Sequence, residues 1–268
     1  MRKKIFSALL LAAVLALPVF AHDLFLKLDD YFLQPNSKVA VKILNGSFQT
    51  SEGAVSFERL NDVSVASGGA ITHPRESDFT KDDKTSLLNL KTGAAGTYVV
   101  GLSTKFREID LKAKDFNEYL TEDGIPDVLE QRRRSGELEK DVRERYTKHV
   151  KAIYQVGNAK TDDYKKVLGY SVEIVPQQNP YKLKAGKTLE VLCLKDGKPI
   201  ANQFVMAGRE EGKNLKVAPG TRTDSNGLAK IKLSGAGKWY IKFINMTPAT
   251  EENLNYESKW ATLTFAVK

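Results

Sequence analysis

The 268-residue chain holds three histidines, His22, His73 and His149, and one cysteine, Cys193. The position of His22 is the most informative. It follows Val19-Phe20-Ala21, where Val19 and Ala21 are the small or branched residues a signal peptidase needs before its cut. Cleavage there leaves His22 first, with a free α-amine and an imidazole on one residue. These two nitrogens close a small chelate ring on a transition metal. An α-amine has a pKa near about 8, so a metal displaces its proton at neutral pH. Imidazole suits nickel, copper and zinc, and Asp23 adds an oxygen nearby. An internal histidine cannot offer this pair of donors.

The other two histidines say less. His149 falls on the apolar stripe of an expected helix, where a lone histidine usually sits in the core with one hydrogen bond. His73 lies in Thr72-His73-Pro74, a polar loop, and reads as a surface residue. No two histidines are close in sequence, so any shared metal site has to be built by folding. Cys193 lies in the strand-like run Leu189–Leu194 and reads as a buried structural thiol. Gly-x-Ser-x-Gly, phosphate-loop and paired-cysteine zinc patterns are absent from the sequence. The pairs Asp29-Asp30, Asp82-Asp83 and Asp162-Asp163 fall in turns, where solvation explains them. Trp239, Tyr240 and Trp260 read as core aromatics.

A basic start, Met1-Arg2-Lys3-Lys4, precedes an apolar run that continues to Leu17. The run is shorter than the ~20 apolar residues of a membrane span, and the pattern is that of a cleaved leader. The expected location is periplasmic or secreted, with membrane contact only through the leader before cleavage. The formal charge of +8 includes three leader cations. Acidic residues are interspersed, and no basic stripe is interleaved with aromatics, so nucleic acid is not an expected partner.

The elements that must position these residues read mostly as strands. Val39, Val41 and Ile43 alternate with Ala40 and Lys42. Leu189 and Val191, Ile231 and Leu233, and Leu263, Phe265 and Val267 repeat the pattern. An internal repeat is visible. Tyr31, Leu33, Val41 and Leu44 match Tyr181, Leu183, Val191 and Leu194, and later Gly96–Val100 resembles Gly237–Ile241. The middle changes period. Asp115 is placed to cap a helix bearing Phe116, Tyr119 and Leu120, and Pro126 to open a second helix ended by Ser135-Gly136. A third helix is expected from about Glu137 to Gln155, with the stripe Val142, Tyr146, His149, Val150 and Ile153. Arg132, Arg133 and Arg134, matched by nearby glutamates, read as a solvated face.

The expected fold is mostly β: two immunoglobulin-like antiparallel β-sandwich domains with a helical insert between them. The boundaries are leader 1–21, N-terminal sandwich 22–111, helical insert 112–157 and C-terminal sandwich 158–268.

Six segments carry a family resemblance: His22-Asp23-Leu24-Phe25-Leu26, Arg143 to Ala152, Gly169 to Tyr181, Thr223 to Gly227, Gly237-Lys238-Trp239, and Ala261 to Phe265. Together they resemble a poorly characterised periplasmic family of unknown function labelled nickel-transport NikM-like. The resemblance implies β-sandwich domains and a link to metal uptake. The family's N-terminal histidine maps onto His22. A second family histidine, after the Gly-x-Trp, falls at Asn245, and an amide is a poor ligand for such a metal. Either the site is weakened there, or Met246, His73 or His149 supplies the missing donor. The leading expectation is a non-enzymatic binding protein for nickel, cobalt or copper that captures the ion and delivers it to an inner-membrane importer. One rival is an exported interaction module that binds a protein or glycan without metal. Another is a copper oxidase, which needs a second histidine beside His22.

Overall fold

A computed structural model describes residues 22–268; the expected leader lies outside the described residues. The strands are β1 Asp23–Lys27, β2 Phe32–Leu33, β3 Lys38–Gly46, β4 Leu60–Ser67, β5 Ala70–Thr72, β6 Phe79–Asp82, β7 Thr85–Lys91, β8 Gly96–Thr104 and β9 Arg107–Leu111. Helices α1 Ala113–Glu122 and α2 Pro126–Ser135 follow. The chain continues as β10 Val142–Val156, β11 Val172–Pro176, β12 Thr188–Lys195, β13 Lys198–Pro199, β14 Phe204–Glu211 and β15 Asn214–Val217. It ends with β16 Thr221–Arg222, β17 Leu228–Lys232, β18 Gly237–Pro248 and β19 Tyr256–Val267.

The protein is mostly β, built on several largely antiparallel sheets. One sheet of 11 strands is central, and its main path runs β15-β14-β18-β19-β10-β8-β4-β5. Strands from both halves of the chain therefore share one sheet. The join is the parallel pairing of β10 with β19, from Glu144↔Tyr256 to Ala152↔Thr264. A four-stranded sheet, β1-β3-β7-β6, packs on one face through Leu26, Tyr31, Val41, Ile43, Val100 and Tyr154. The sheet of β11, β12, β13 and β17 packs on the other through Val172, Val191, Cys193, Trp239, Phe243 and Phe265. The repeated motif survives in three dimensions. Tyr31 and Tyr181 are both buried, and their hydroxyls donate to Thr264 Oγ1 and to the Ile153 carbonyl.

The expected third helix is a strand. Val142–Val156 runs 15 residues through the middle of the central sheet, so the insert expected over 112–157 is helical only through Ser135. From Lys148 onward every residue of β10 is buried. A strand covered on both faces has no polar face to show, and its apolar residues then mimic a helical stripe. The first two helices form where expected, with two differences. Lys112 rather than Asp115 occupies the cap of α1, and Asp115 sits in its first turn. α2 ends at Gly136, whose φ of 70° is the left-handed conformation that glycine adopts without a Cβ clash. Arg132 is not on a solvated face. It is buried over the Phe116 ring and donates to Asn117 Oδ1 and to the carbonyls of Glu137 and Lys140. Arg133 and Arg134 do lie on the surface, paired with Glu130. No helix among the described residues is long and apolar enough to cross a membrane.

Candidate metal centre

β1 places His22 at the start of the N-terminal sheet. The strand pairs antiparallel with β3 from Asp23↔Gly46. Its other side lies on the central sheet, where Thr262 and Thr264 donate side-chain hydrogen bonds to the carbonyls of Leu24 and Leu26. Phe25, Phe48 and Tyr240 form a triangle of rings with centroids 5.2–5.4 Å apart, which pins the strand. Such ring pairs add about 0.5–1.5 kcal/mol each beyond burial.

The His22 imidazole points Nε2 at Glu52, with Nε2–Oε2 2.5 Å. Nδ1 is the ring nitrogen nearer the backbone, and the contact with Glu52 does not use it. A carboxylate that fixes one ring nitrogen is the usual support for a metal on the other. The carbonyl of His22 accepts a hydrogen bond from Lys148 Nζ. The next residue, Asp23, pairs through Oδ2 with Lys242 Nζ at 2.5 Å, while its Oδ1 is buried without a partner. Lys242 also holds Asp123 Oδ1 at 2.6 Å.

These contacts belong to a buried ionic cluster between β1, the end of α1 and strands β10, β18 and β19. Lys148 lies over the Trp260 ring, 5.0 Å from its centroid. Glu144, fully buried, accepts from Ser258 and from the Tyr119 hydroxyl at 3.3 Å, and its second oxygen has no partner. Burial pushes Glu144 up to about 7 and Asp123 up to about 6. It pushes Lys148 down to about 8. Lys242 shifts the other way: burial opposes its charge, but Asp23 and Asp123 outweigh it and hold the ammonium charged. Sequence reasoning missed this cluster. Lys148 falls in the expected third helix and Lys242 in an apolar run, and their partners lie 119 to 219 residues away.

The remaining candidate donors are distributed elsewhere. On β10, Lys148 faces β1, so its neighbour His149 faces the opposite side of the sheet. There His149 is buried between hydroxyls: Nδ1 is 2.9 Å from Ser103 Oγ, and Nε2 is 2.7 Å from Ser171 Oγ. Burial pushes its imidazole down to about 4. His73 lies in the same outer network, 3.2 Å from Asp62, whose other oxygen accepts from Tyr170. Tyr170 in turn packs against the His149 ring. Asn245 alternates with Lys242 across β18 and bonds Gln203 through Nδ2, leaving Oδ1 buried and unpartnered. Met246 shares the face of Lys242 four residues along, roughly 13 Å by strand rise. It is packed among Phe116, Ile125 and Trp260. Asn245 and Met246 line a cavity of ≈ 220 Å³ at the start of α2. Asp23 adjoins His22 in sequence but pairs with Lys242 while His22 meets Glu52, and the structure distributes His73, His149, Asn245 and Met246 to other places. No group of three or more His, Cys, Asp or Glu side chains with metal-holding geometry occurs among the described residues.

Fold and site together describe a mostly β protein in which a histidine just before β1 lies against a carboxylate. The chain belongs to the family described as a domain of unknown function, DUF4198, whose model matches residues 19–247. No curated protein matches it. Among solved structures, the D0-D1 domain of intimin aligns at 15% identity over 91% of this chain and 97% of that one, with a TM-score of 0.21. A tetra-tandem repeat from the extending region of a large adhesion protein aligns at 13%, over 91% and 49%, with a TM-score of 0.22. A marsupial T cell receptor aligns at 10%, over 91% and 72%, also at 0.22.

Proposed function

We propose that the protein is an exported, non-enzymatic binder of a divalent transition metal, of the nickel-transport NikM-like kind, capturing nickel, cobalt or copper for uptake by an inner-membrane importer. The α-amine and Nδ1 of His22 are the two nitrogen donors. A six-membered ring closes through Nδ1, whereas Nε2 is turned toward Glu52. The observation that carries the reading is this 2.5 Å contact, because it leaves free the one ring nitrogen that can share a metal with the amine.

The donor set fits in part. Asp23 Oδ1, buried and unpartnered, is the nearest further oxygen in sequence. Two nitrogens and one oxygen leave coordination positions for water or for a donor from the receiving protein. A partly filled shell suits capture and hand-over better than permanent storage. It also speaks against the copper oxidase reading, since His73 and His149 belong to the network on the far face.

The test is a metal titration of protein processed to begin at His22, beside the same protein with one extra N-terminal alanine. The added residue turns the amine into an amide and removes the chelate. Tight binding of Cu(II) or Ni(II) by the first and loss of it in the second is the expected result. Equal affinity, or an exported protein whose first residue is not His22, ends the proposal and leaves the interaction module as the better account.

A further inference from the structure

Two buried lysines hold two successive residues, His22 and Asp23, each by a different handle, at the end that cleavage before His22 would create. Lys148, from β10, binds the backbone carbonyl of His22. Lys242, from β18, binds the carboxylate of Asp23 at 2.5 Å. One anchor fixes where the end lies, and two on adjacent residues also fix its rotation. β1 does not need either anchor to pair, because its ladder with β3 already runs from Asp23 to Lys27. Chain ends without such ties usually fray. Stability is a weak explanation for the pair, since well-packed apolar residues often replace buried charges without loss.

The anchors are themselves tied to the helices. Asp123 follows the last turn of α1, and its Oδ1 is 2.6 Å from Lys242 Nζ. Helix and chain end therefore share one ammonium. Tyr119, from the same helix, reaches Glu144, which sits four residues before Lys148 on β10. We infer that Lys148 and Lys242 are positioning residues for the amino-terminal chelate, and that the α1–α2 hairpin locks Lys242 through Asp123. The inference rests on the chelate reading above and adds to it what orients the ligand residue. Docking of the hairpin then sets how rigidly the His22 amine and ring are presented.

The test compares Lys148→Met and Lys242→Met with Lys151→Met in protein processed to begin at His22. Lys151 is an internal control. It is a buried lysine three residues along the same strand, paired with Glu173 at 2.8 Å, and it faces away from β1. Cu(II) affinity by competition titration is expected to fall about tenfold or more in the first two variants, the range seen when groups that orient metal ligands are removed. Their Cu(II) electron paramagnetic spectra should change, while Lys151→Met keeps wild-type affinity and spectrum despite lower stability. A metal-independent readout accompanies this: an aminopeptidase should trim Lys148→Met and Lys242→Met faster than wild type. If the methionine variants do not fold, Asp123→Asn is expected to loosen the chain end and Asp123→Glu to restore it. Wild-type affinity and wild-type trimming in the position 148 and 242 variants overturn the inference while leaving metal capture intact. Failure of wild type itself to bind metal overturns the capture reading, and the trimming assay still decides the anchoring.

Discussion

Nε2 of His22 and Oε2 of Glu52 meet at 2.5 Å, so a residue in the loop after β3 holds one nitrogen of that imidazole and leaves the other out of the contact. Glu52 is 59% exposed and Glu52→Gln removes little packing. Its unfolding free energy should stay within about 0.5 kcal/mol of wild type. Its metal affinity should fall by about tenfold or more, as for other carboxylates behind a ligating histidine. Denaturant unfolding and a competition titration on the same sample check both halves, and a stable variant of undiminished affinity refutes the role.

His73→Ala and His149→Phe should leave metal affinity unchanged, because both side chains sit in the network around Asp62 and Tyr170. His149→Phe should still destabilise the fold by about 1–3 kcal/mol, since it strands the buried Ser103 hydroxyl and removes the partner of the half-buried Ser171. A tenfold loss of affinity in either variant would show that the faces communicate in a way the sheet does not suggest.

Glu173 gathers the backbone N–H groups of Leu168, Gly169 and Tyr170 as well as Lys151 Nζ. Removing the carboxylate by Glu173→Ala leaves a buried ammonium uncompensated, and about 3–5 kcal/mol of stability should be lost. Urea unfolding measures it. A loss below 1 kcal/mol would mean that the turn holds without its carboxylate.

Glu144 gives the protein a pH dependence of definite sign. Burial raises it to about 7 from the ordinary 4.5. Between those values the folded chain keeps a proton that the unfolded chain has released, so stability from this group is full below pH 4.5 and falls as pH rises through 7. Asp123, raised to about 6, acts in the same direction. His149 opposes both. Lowered from 6.5 to about 4, it costs stability as pH falls through that range. Glu144→Gln keeps the acceptor for Ser258 and Tyr119 and removes the titration. It should be more stable than wild type at pH 8, by about 1–3 kcal/mol, and should lose less stability than wild type between pH 5 and 7, Asp123 keeping its share. A variant less stable than wild type at pH 8 contradicts this.

Cys193 is fully buried, and burial pushes its thiol up. It should resist thiol reagents in the native protein and react at once after denaturation. Rapid labelling of native protein would place it at the surface.

The sequence by itself determined a great deal. Period-2 alternation marked β3, β12 and β17, where one face meets core and the other is more exposed, and also β19, whose alternating threonines are buried as well. Pro126 and Gly136 set the bounds of α2 through their own backbone chemistry. The Tyr31 and Tyr181 repeat marked two tyrosines that are both buried. Tertiary structure alone decided the rest. β10 was illegible because a strand buried on both faces loses the alternation that marks strands. The single sheet shared by both halves depends on β10 pairing with β19, more than 100 residues away. The lysines at 148 and 242 could not be read as buried, because what makes an ammonium tolerable inside a protein is a carboxylate or carbonyl brought to it by the fold. Such partners leave no local pattern in the chain.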